Sequence, residues 1–319
     1  MSTRKKLLTS WAQILGLAFF TAVCFGGGEI SSQAQSVNKP IKPVMYTVHK
    51  PVKAVPTTAK NEPIVFLHGF NGKYWSEKYL INSLAKHKHV RKGLKVYVDA
   101  GNRIKITGNY KQSATTHNTI AIIMKNNRAG DYVFTRQLNQ AMNKLAKTYK
   151  FTRYSAVGHS MGAYTWVNFL ETHPKFEKHA KIDRLVTISG AFNGVLRFNG
   201  PMSMATGNAR YLFNDGYHIN RFGRKGRPMI IHPEFKHLLK FRKNLPRGLK
   251  ILNMYGDLGN GTRSDGVVTT VSAQSIRYLV KGLPIAYHQK RFMGYNAQHR
   301  MIHINNQPVK KSMAKFLLG

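Results

Sequence analysis

The stretch that decides the fold is residues 158–162, Gly-His-Ser-Met-Gly. Residues 153–157 before it are short and apolar enough for a buried strand, and residues 163–170 after it carry apolar side chains at helical spacing. A strand, a tight turn between two glycines and a helix hold a serine at the tip of a strained turn, beside the positive end of the helix. The context therefore favours a nucleophilic Ser160 over a serine in an ordinary glycine-rich turn.

Strands and helices alternate along the chain on both sides of this turn. Residues 63–67 form a continuous apolar run, as expected of a parallel strand that is covered on both faces. The other predicted elements are strands at 94–98, 103–107, 182–189, 249–255 and 285–292, and helices at 131–150, 270–280 and 308–318. This alternation predicts an α/β fold with a mostly parallel central sheet covered by helices on both faces.

The alternation is interrupted at about residues 192–245, which are rich in Gly, Asn, Arg, Met and aromatic residues. A short helix is predicted there at 234–243. Apolar side chains in the segment, such as Met202 and Phe213, need a surface to cover. We interpret the segment as a cap or lid inserted over the site, and a surface excursion without function is the alternative.

The N-terminal residues have the layout of an export signal. Basic residues precede a mostly apolar run at 7–25, and small and polar residues follow it. We predict a signal peptide or N-terminal membrane anchor at 1–34, with cleavage favoured because the run is short for a membrane span. A flexible basic tether is predicted at 35–60 and a folded domain at 61–319. The protein is therefore expected outside the cell or at its surface.

The amino-acid composition limits the kinds of catalytic and metal-binding site that the chain can form. The only cysteine, Cys24, lies in the apolar N-terminal run, so a cleaved chain has no thiol nucleophile, disulfide or cysteine-bound metal. No cofactor motif and no metal-ligand set is predicted. The chain carries 50 Lys and Arg against 12 Asp and Glu, a formal net charge of +38.

The positive charges are spread along the chain, and no nucleic-acid-binding motif accompanies them. The predicted partner is therefore an anionic cell-wall polymer or membrane surface rather than a specific nucleic acid. A general contribution to solubility, without a specific partner, is the alternative, and the oligomeric state is left open.

A nucleophilic serine needs a base, and the base needs an acid that orients it. The acid is expected in the loop after a late strand, which leaves Asp257 and Asp265. Asp265 is favoured because it lies in Ser-Asp-Gly-Val-Val directly before a helix, whereas Asp257 suits a bracing role in the loop. The base is expected in the loop before the closing helix, where His299 and His303 both fit, and spacing barely separates these two.

The loop at residues 68–72, His-Gly-Phe-Asn-Gly, follows the early strand at 63–67. A glycine-rich loop in this place supplies one backbone donor to the negatively charged oxygen of acyl transfer, and the residue after the nucleophile supplies another. The backbone N–H groups of Phe70 and Met161 are therefore predicted to form the oxyanion hole.

The chain resembles the cell-surface α/β hydrolases of Gram-positive bacteria, a family long catalogued as a domain of unknown function. The resemblance covers residues 61–319 and is carried by the motifs at 68–72, 158–162, 264–268 and 297–299. It implies an α/β-hydrolase fold, supports Asp265 as the acid and favours His299 over His303 as the base. The chain departs from the family at Ala163, where a further glycine is common.

Together the motifs and the resemblance predict a secreted or surface-held serine hydrolase that acts on carboxylic esters. The expected machinery is a Ser160–Asp265–His299 triad that forms an acyl-enzyme. Two alternatives stay open at this stage. One is an acyltransferase that uses the same triad, and the other is a non-catalytic hydrolase-fold module that binds anionic envelope polymers.

Overall fold

The computed structural model of the protein describes residues 62–197 and 212–319. The predicted signal or anchor at 1–34 and the tether at 35–60 lie outside the described residues, as do residues 198–211 of the predicted cap. Within the described ranges, no helix has both the length and the apolar character that a membrane span requires.

A single sheet of eight strands organises the described part of the chain. Its strands are β1 (Ile64–Leu67), β2 (Val90–Val98), β3 (Ile104–Gly108), β4 (His117–Met124), β5 (Arg153–His159), β6 (Lys181–Ile188), β7 (Lys250–Asp257) and β8 (Ala286–Met293). Their order across the sheet is β3-β2-β4-β1-β5-β6-β7-β8. Only the edge pair of β2 and β3 is antiparallel. The predicted α/β fold with a mostly parallel sheet is confirmed.

Helices cover both faces of this sheet. They are α1 (Tyr74–Leu84), α2 (Asp131–Tyr149), α3 (Met161–Thr172), α4 (Pro233–Phe241), α5 (Thr270–Gln274), α6 (Ile276–Leu279), α7 (Met301–Ile304) and α8 (Gln307–Leu318). Successive residues of a strand point to opposite faces, so Val65 packs into the core under α2 and α3 and Phe66 into the core under α1 and α8. Both faces of β1 are buried, which explains its continuous apolar run.

The structure differs from the sequence prediction at four places. Strand β4 and helix α1 were not predicted, because β4 begins with polar residues and α1 lacks a Ser, Thr, Asp or Asn cap. The helix predicted at 270–280 is divided at Ser275 into α5 and α6. The loop expected before the closing helix contains the helical turn α7, which places His303 on a helix.

Candidate active site

Ser160 lies between the end of β5 and the start of α3. Its backbone has φ 55° and ψ −126°, a conformation that is strained for any residue with a side chain. A Cβ atom on Gly158 would lie 2.7 Å from the backbone of Ala163, and one on Gly162 would collide with the carbonyl oxygen of Leu67. The glycines therefore let the strand, turn and helix pack closely enough to hold the serine at the tip.

Two side chains complete a hydrogen-bonded chain that begins at Ser160. The Oγ atom of Ser160 lies 2.9 Å from Nε2 of His299, and Nδ1 of His299 lies 2.8 Å from Oδ2 of Asp265. Because a carboxylate only accepts, Nδ1 carries the proton and Nε2 accepts from the serine hydroxyl. This is the tautomer that a base needs in order to take the proton of Ser160.

The acid is held firmly in its loop after β7. Oδ1 of Asp265 accepts hydrogen bonds from the backbone N–H groups of Val267 at 2.9 Å and Val268 at 2.7 Å. The backbone N–H of His299 in turn donates to the carbonyl oxygen of Asp265 at 2.8 Å. Asp265 is 1 % exposed. Its orientation and that of the imidazole are therefore fixed before any substrate arrives.

The two alternative residues lie elsewhere. Asp257 accepts from Nη2 of Arg291 at 2.6 Å and from the backbone N–H of Gly259 at 2.9 Å, so it braces the loop after β7. Nδ1 of His303 donates to the carbonyl oxygen of Ser76 at 2.9 Å. The structure thus brings Ser160, Asp265 and His299 together, and it directs His303 towards α1.

His159, the histidine inside the turn, supports the backbone of the base. Nε2 of His159 donates to the carbonyl oxygen of His299 at 3.0 Å. Burial lowers the pKa of His159 well below its ordinary value, and the neighbouring His303 and His299 lower it further. A neutral imidazole therefore links the turn at residues 158–162, which we call the elbow, to the loop that carries the base.

The loop at residues 68–72 passes directly beside the serine. A Cβ on Gly69 would lie 2.8 Å from Cβ of Ser160, so only glycine fits there. Among the described residues, the N–H groups of Phe70 and Met161 have no backbone or side-chain acceptor. Both residues border the cavity next to Ser160, as the predicted oxyanion hole requires.

Sequence reasoning missed the residue that holds this loop. Nδ1 of His68 donates to the carbonyl oxygen of Gly69 at 2.7 Å, and its Nε2 accepts from the backbone N–H of Met124 at 3.0 Å. Desolvation by burial lowers the pKa of His68 to about 4. The His-Gly pair at the end of an apolar strand was the available signal for this role.

A small cavity of about 90 Å³ opens next to Ser160. Its other lining residues are mostly apolar: Phe70, Met161, Tyr164, Ala191, Val195, Leu212, Phe213, Val267 and His299. Val195, Leu212 and Phe213 come from the segment predicted as a cap, and the rings of Phe70 and Phe213 meet edge to face at 6.0 Å. The described part of that segment therefore contributes one wall of the cavity. The helix expected there at 234–243 is α4, Pro233–Phe241.

Family membership follows from comparison with known proteins. A family model described as an alpha/beta hydrolase of unknown function matches residues 53–319. The chain belongs to this family. The resemblance noted from the motifs is thus confirmed, and the match leaves open which bond the alpha/beta hydrolase cleaves.

Solved structures agree with this assignment. A Listeria innocua gene product is 22% identical, with a TM-score of 0.68 over 81% of this chain and 94% of its own. A Lactobacillus plantarum protein, whose given name proposes a cell surface hydrolase, is 24% identical, with a TM-score of 0.59 over 81% of this chain and 90% of its own. At these identities the likeness shows the alpha/beta hydrolase fold alone. A comparison with curated proteins gives no match.

Proposed function

We propose that this alpha/beta hydrolase is a serine hydrolase that cleaves carboxylic esters through an acyl-enzyme on Ser160. The observation that carries the proposal is the hydrogen-bonded chain from Ser160 through His299 to Asp265, with distances of 2.9 and 2.8 Å. A serine hydroxyl is a weak nucleophile until an adjacent base accepts its proton. The arrangement supports His299 as that base and Asp265 as the acid that orients it.

The proposed reaction assigns a residue to each step. Oγ of Ser160 attacks the ester carbonyl carbon while Nε2 of His299 takes the hydroxyl proton. The N–H groups of Phe70 and Met161 then donate to the oxyanion, each lowering the barrier by about 3 kcal/mol.

The intermediate collapses as His299 gives its proton to the leaving alkoxide, which departs as an alcohol. Water then attacks the acyl-enzyme with His299 again as the base, and the acid product and free Ser160 are released.

The shape of the cavity supports a short acyl group as the preferred substrate. Its volume is about 90 Å³, and its walls are mostly apolar side chains such as Tyr164, Val195 and Leu212. Each buried methylene contributes about 0.8 kcal/mol to binding until the cavity is full. We therefore expect kcat/KM to rise over the first few acyl carbons and then to fall.

Turnover of a series of p-nitrophenyl esters, from acetate to decanoate, tests this proposal. Ser160→Ala should lose at least about 10⁴-fold in kcat and keep its melting temperature, because only the nucleophile is removed. Product analysis with added alcohols separates hydrolysis from acyl transfer. Full activity in Ser160→Ala, or no turnover of any ester by the folded wild type, contradicts the proposal.

The net positive charge of the chain supports a further proposal, that the hydrolase binds to anionic polymers or membranes of the cell envelope. The cations are dense around a groove lined by Tyr278 and by five basic residues: Arg224, Lys225, Arg227, Arg242 and Lys281. Charge attraction of this kind is screened beyond about 8 Å at physiological ionic strength. Binding to anionic vesicles should therefore fall steeply with added salt. Binding that ignores salt, or equal binding to neutral vesicles, contradicts an electrostatic attachment.

A further inference from the structure

Three side chains from distant parts of the chain meet behind the elbow. Glu77 comes from α1, His159 from the end of β5 and His303 from α7. One potential metal-ligand atom of each lies within 4.8 Å of those of the other two. The exposures of the three residues are 1 %, 6 % and 4 %. We call this group the buried cluster; in the described parts of the chain it is the one set of three His, Asp or Glu residues so arranged.

The carboxylate of the buried cluster has no partner. Both oxygens of Glu77 are buried and accept no hydrogen bond from the described residues. Burial raises the pKa of Glu77 to about 8. An unpartnered buried carboxylate is costly unless a proton or a cation neutralises it. The structure therefore places an unused ligand next to two imidazoles.

The two histidines are already oriented by backbone carbonyl oxygens. Nε2 of His159 donates to His299, and Nδ1 of His303 donates to Ser76. These bonds fix the tautomers, so that Nδ1 of His159 and Nε2 of His303 keep their lone pairs free. Histidines that bind metals usually donate the other ring N–H in this way.

We propose that the buried cluster binds one divalent transition-metal ion of the Zn²⁺ class, with a solvent molecule as the fourth ligand. Two imidazole nitrogens and one carboxylate oxygen form a donor set that Zn²⁺ favours. Tetrahedral bonds of about 2.0–2.1 Å bring ligand atoms to about 3.3 Å from one another. The ligand atoms lie within 4.8 Å of one another, and the rings of His159 and His303 lie 4.0 Å apart between their centroids, so binding requires the three side chains to move inward and the two rings to turn apart.

Such an ion has a structural role in this fold. It joins α1, the elbow and α7, and through His159 it reaches the carbonyl oxygen of His299. The side chain that bonds to the hydroxyl of Ser160 is His299, which is not one of its ligands, so the ion would position the loop of the base without taking part in the reaction. The inference is independent of the proposed ester hydrolysis, because its readouts are metal content and thermal stability.

Metal binding is tested with protein stripped by EDTA and dialysed against Zn²⁺. We expect about one ion per chain by mass spectrometry and a melting temperature about 5 °C higher with Zn²⁺ than without. Glu77→Gln and His303→Asn should lose at least about 100-fold in affinity and the thermal shift, because each removes a ligand atom. The asparagine can still donate to the carbonyl of Ser76. His288→Asn, on the exposed surface of β8, is the matched control and should bind as the wild type does.

Loading the wild type with Co²⁺ gives a second readout that needs no variant. The ligand-field absorption of a four-coordinate site is expected. The proposal is wrong if the wild type retains no more Zn²⁺ than Glu77→Gln, if Co²⁺ gives only the spectrum of the hydrated ion, or if Glu77→Gln and His303→Asn bind like the control. A gain in melting temperature for Glu77→Gln, with no effect of Zn²⁺ on the wild type, also overturns it, since Glu77 is then a neutral acid.

Discussion

We call the side of the elbow that carries Ser160 the front, and the side that carries the buried cluster the back. Both sides contain histidine and a carboxylate, but the hydrogen bonding of these side chains differs. On the front, His299 has an acid on one ring nitrogen and a serine on the other, at 2.8 and 2.9 Å. On the back, His159 and His303 each have one backbone partner, and the carboxylate of Glu77 has none. A fully partnered chain of groups is suited to moving a proton, whereas unpartnered ligands around neutral imidazoles are suited to holding a cation.

The contrast shows how two histidines on neighbouring turns of one segment take different roles. His299 precedes α7 and faces the loop of Asp265, while His303 lies within α7 and faces α1. The helical turn rotates the second side chain away from the serine. Residue type alone therefore does not identify the base, and the local backbone does.

The largest expected effect is a loss of kcat, and it distinguishes His299 from His303. His299→Ala should lose about 10⁴-fold or more in kcat, because Ser160 is left without its base. His303→Asn should keep kcat within about tenfold and lose melting temperature, since it contacts α1 and not the reacting groups. Steady-state kinetics and thermal melts of both variants check this. An inactive, well-folded His303→Asn beside an active His299→Ala reverses the assignment of the base.

The two aspartates give the next comparison. Asp265→Asn should lose about 10⁴-fold in kcat, because an amide at this position stabilises the wrong tautomer of His299. Asp257→Asn should leave kcat nearly unchanged and cost about 1 kcal/mol or less, since Arg291 in its ion pair is half exposed. If both variants lose kcat to a similar extent, catalysis depends on the conformation of the loop after β7 and not on the carboxylate of Asp265 itself.

The smallest expected effect is on the pH dependence of stability. It concerns His68, which holds the loop at residues 68–72 on the front. Its folded pKa is about 4, against about 6.5 in the unfolded chain, so only the unfolded state takes up this proton between those values. Stability should therefore fall as pH drops from about 6.5 to 4, by about 3 kcal/mol from this residue.

Denaturant unfolding of the wild type and His68→Gln across this pH range isolates the contribution. The glutamine can accept from the N–H of Met124 and does not titrate, so its stability should depend less steeply on pH. Parallel curves for the two proteins mean that His68 is not the group responsible.

Much of the front could be predicted from the sequence, because its signals are local or follow chain order. The elbow is a short motif between a strand and a helix, and Asp265 follows a late strand. The choice of His299 needed the family resemblance, since the turn α7, which packs against α1, is not visible in the spacing. The catalytic roles of these residues stay predictions.

The back could not be predicted, because its parts are far apart in the chain. Nothing in the residues around Glu77 indicates that α1 buries it against His159 and His303. Strand β4 was missed for a related reason. It begins with His117 and Asn118, polar residues that find partners only in the fold, in the carbonyl oxygens of Glu62 and Lys111.

Ser160, as a nucleophile activated by His299, should react with a fluorophosphonate probe. Mass spectrometry of the labelled wild type should find one adduct, on the peptide that contains Ser160. Labelling should vanish in Ser160→Ala and slow by at least about 10³-fold in His299→Ala. An adduct on another serine, or ester turnover by the wild type without any adduct on Ser160, means that Ser160 is not the nucleophile.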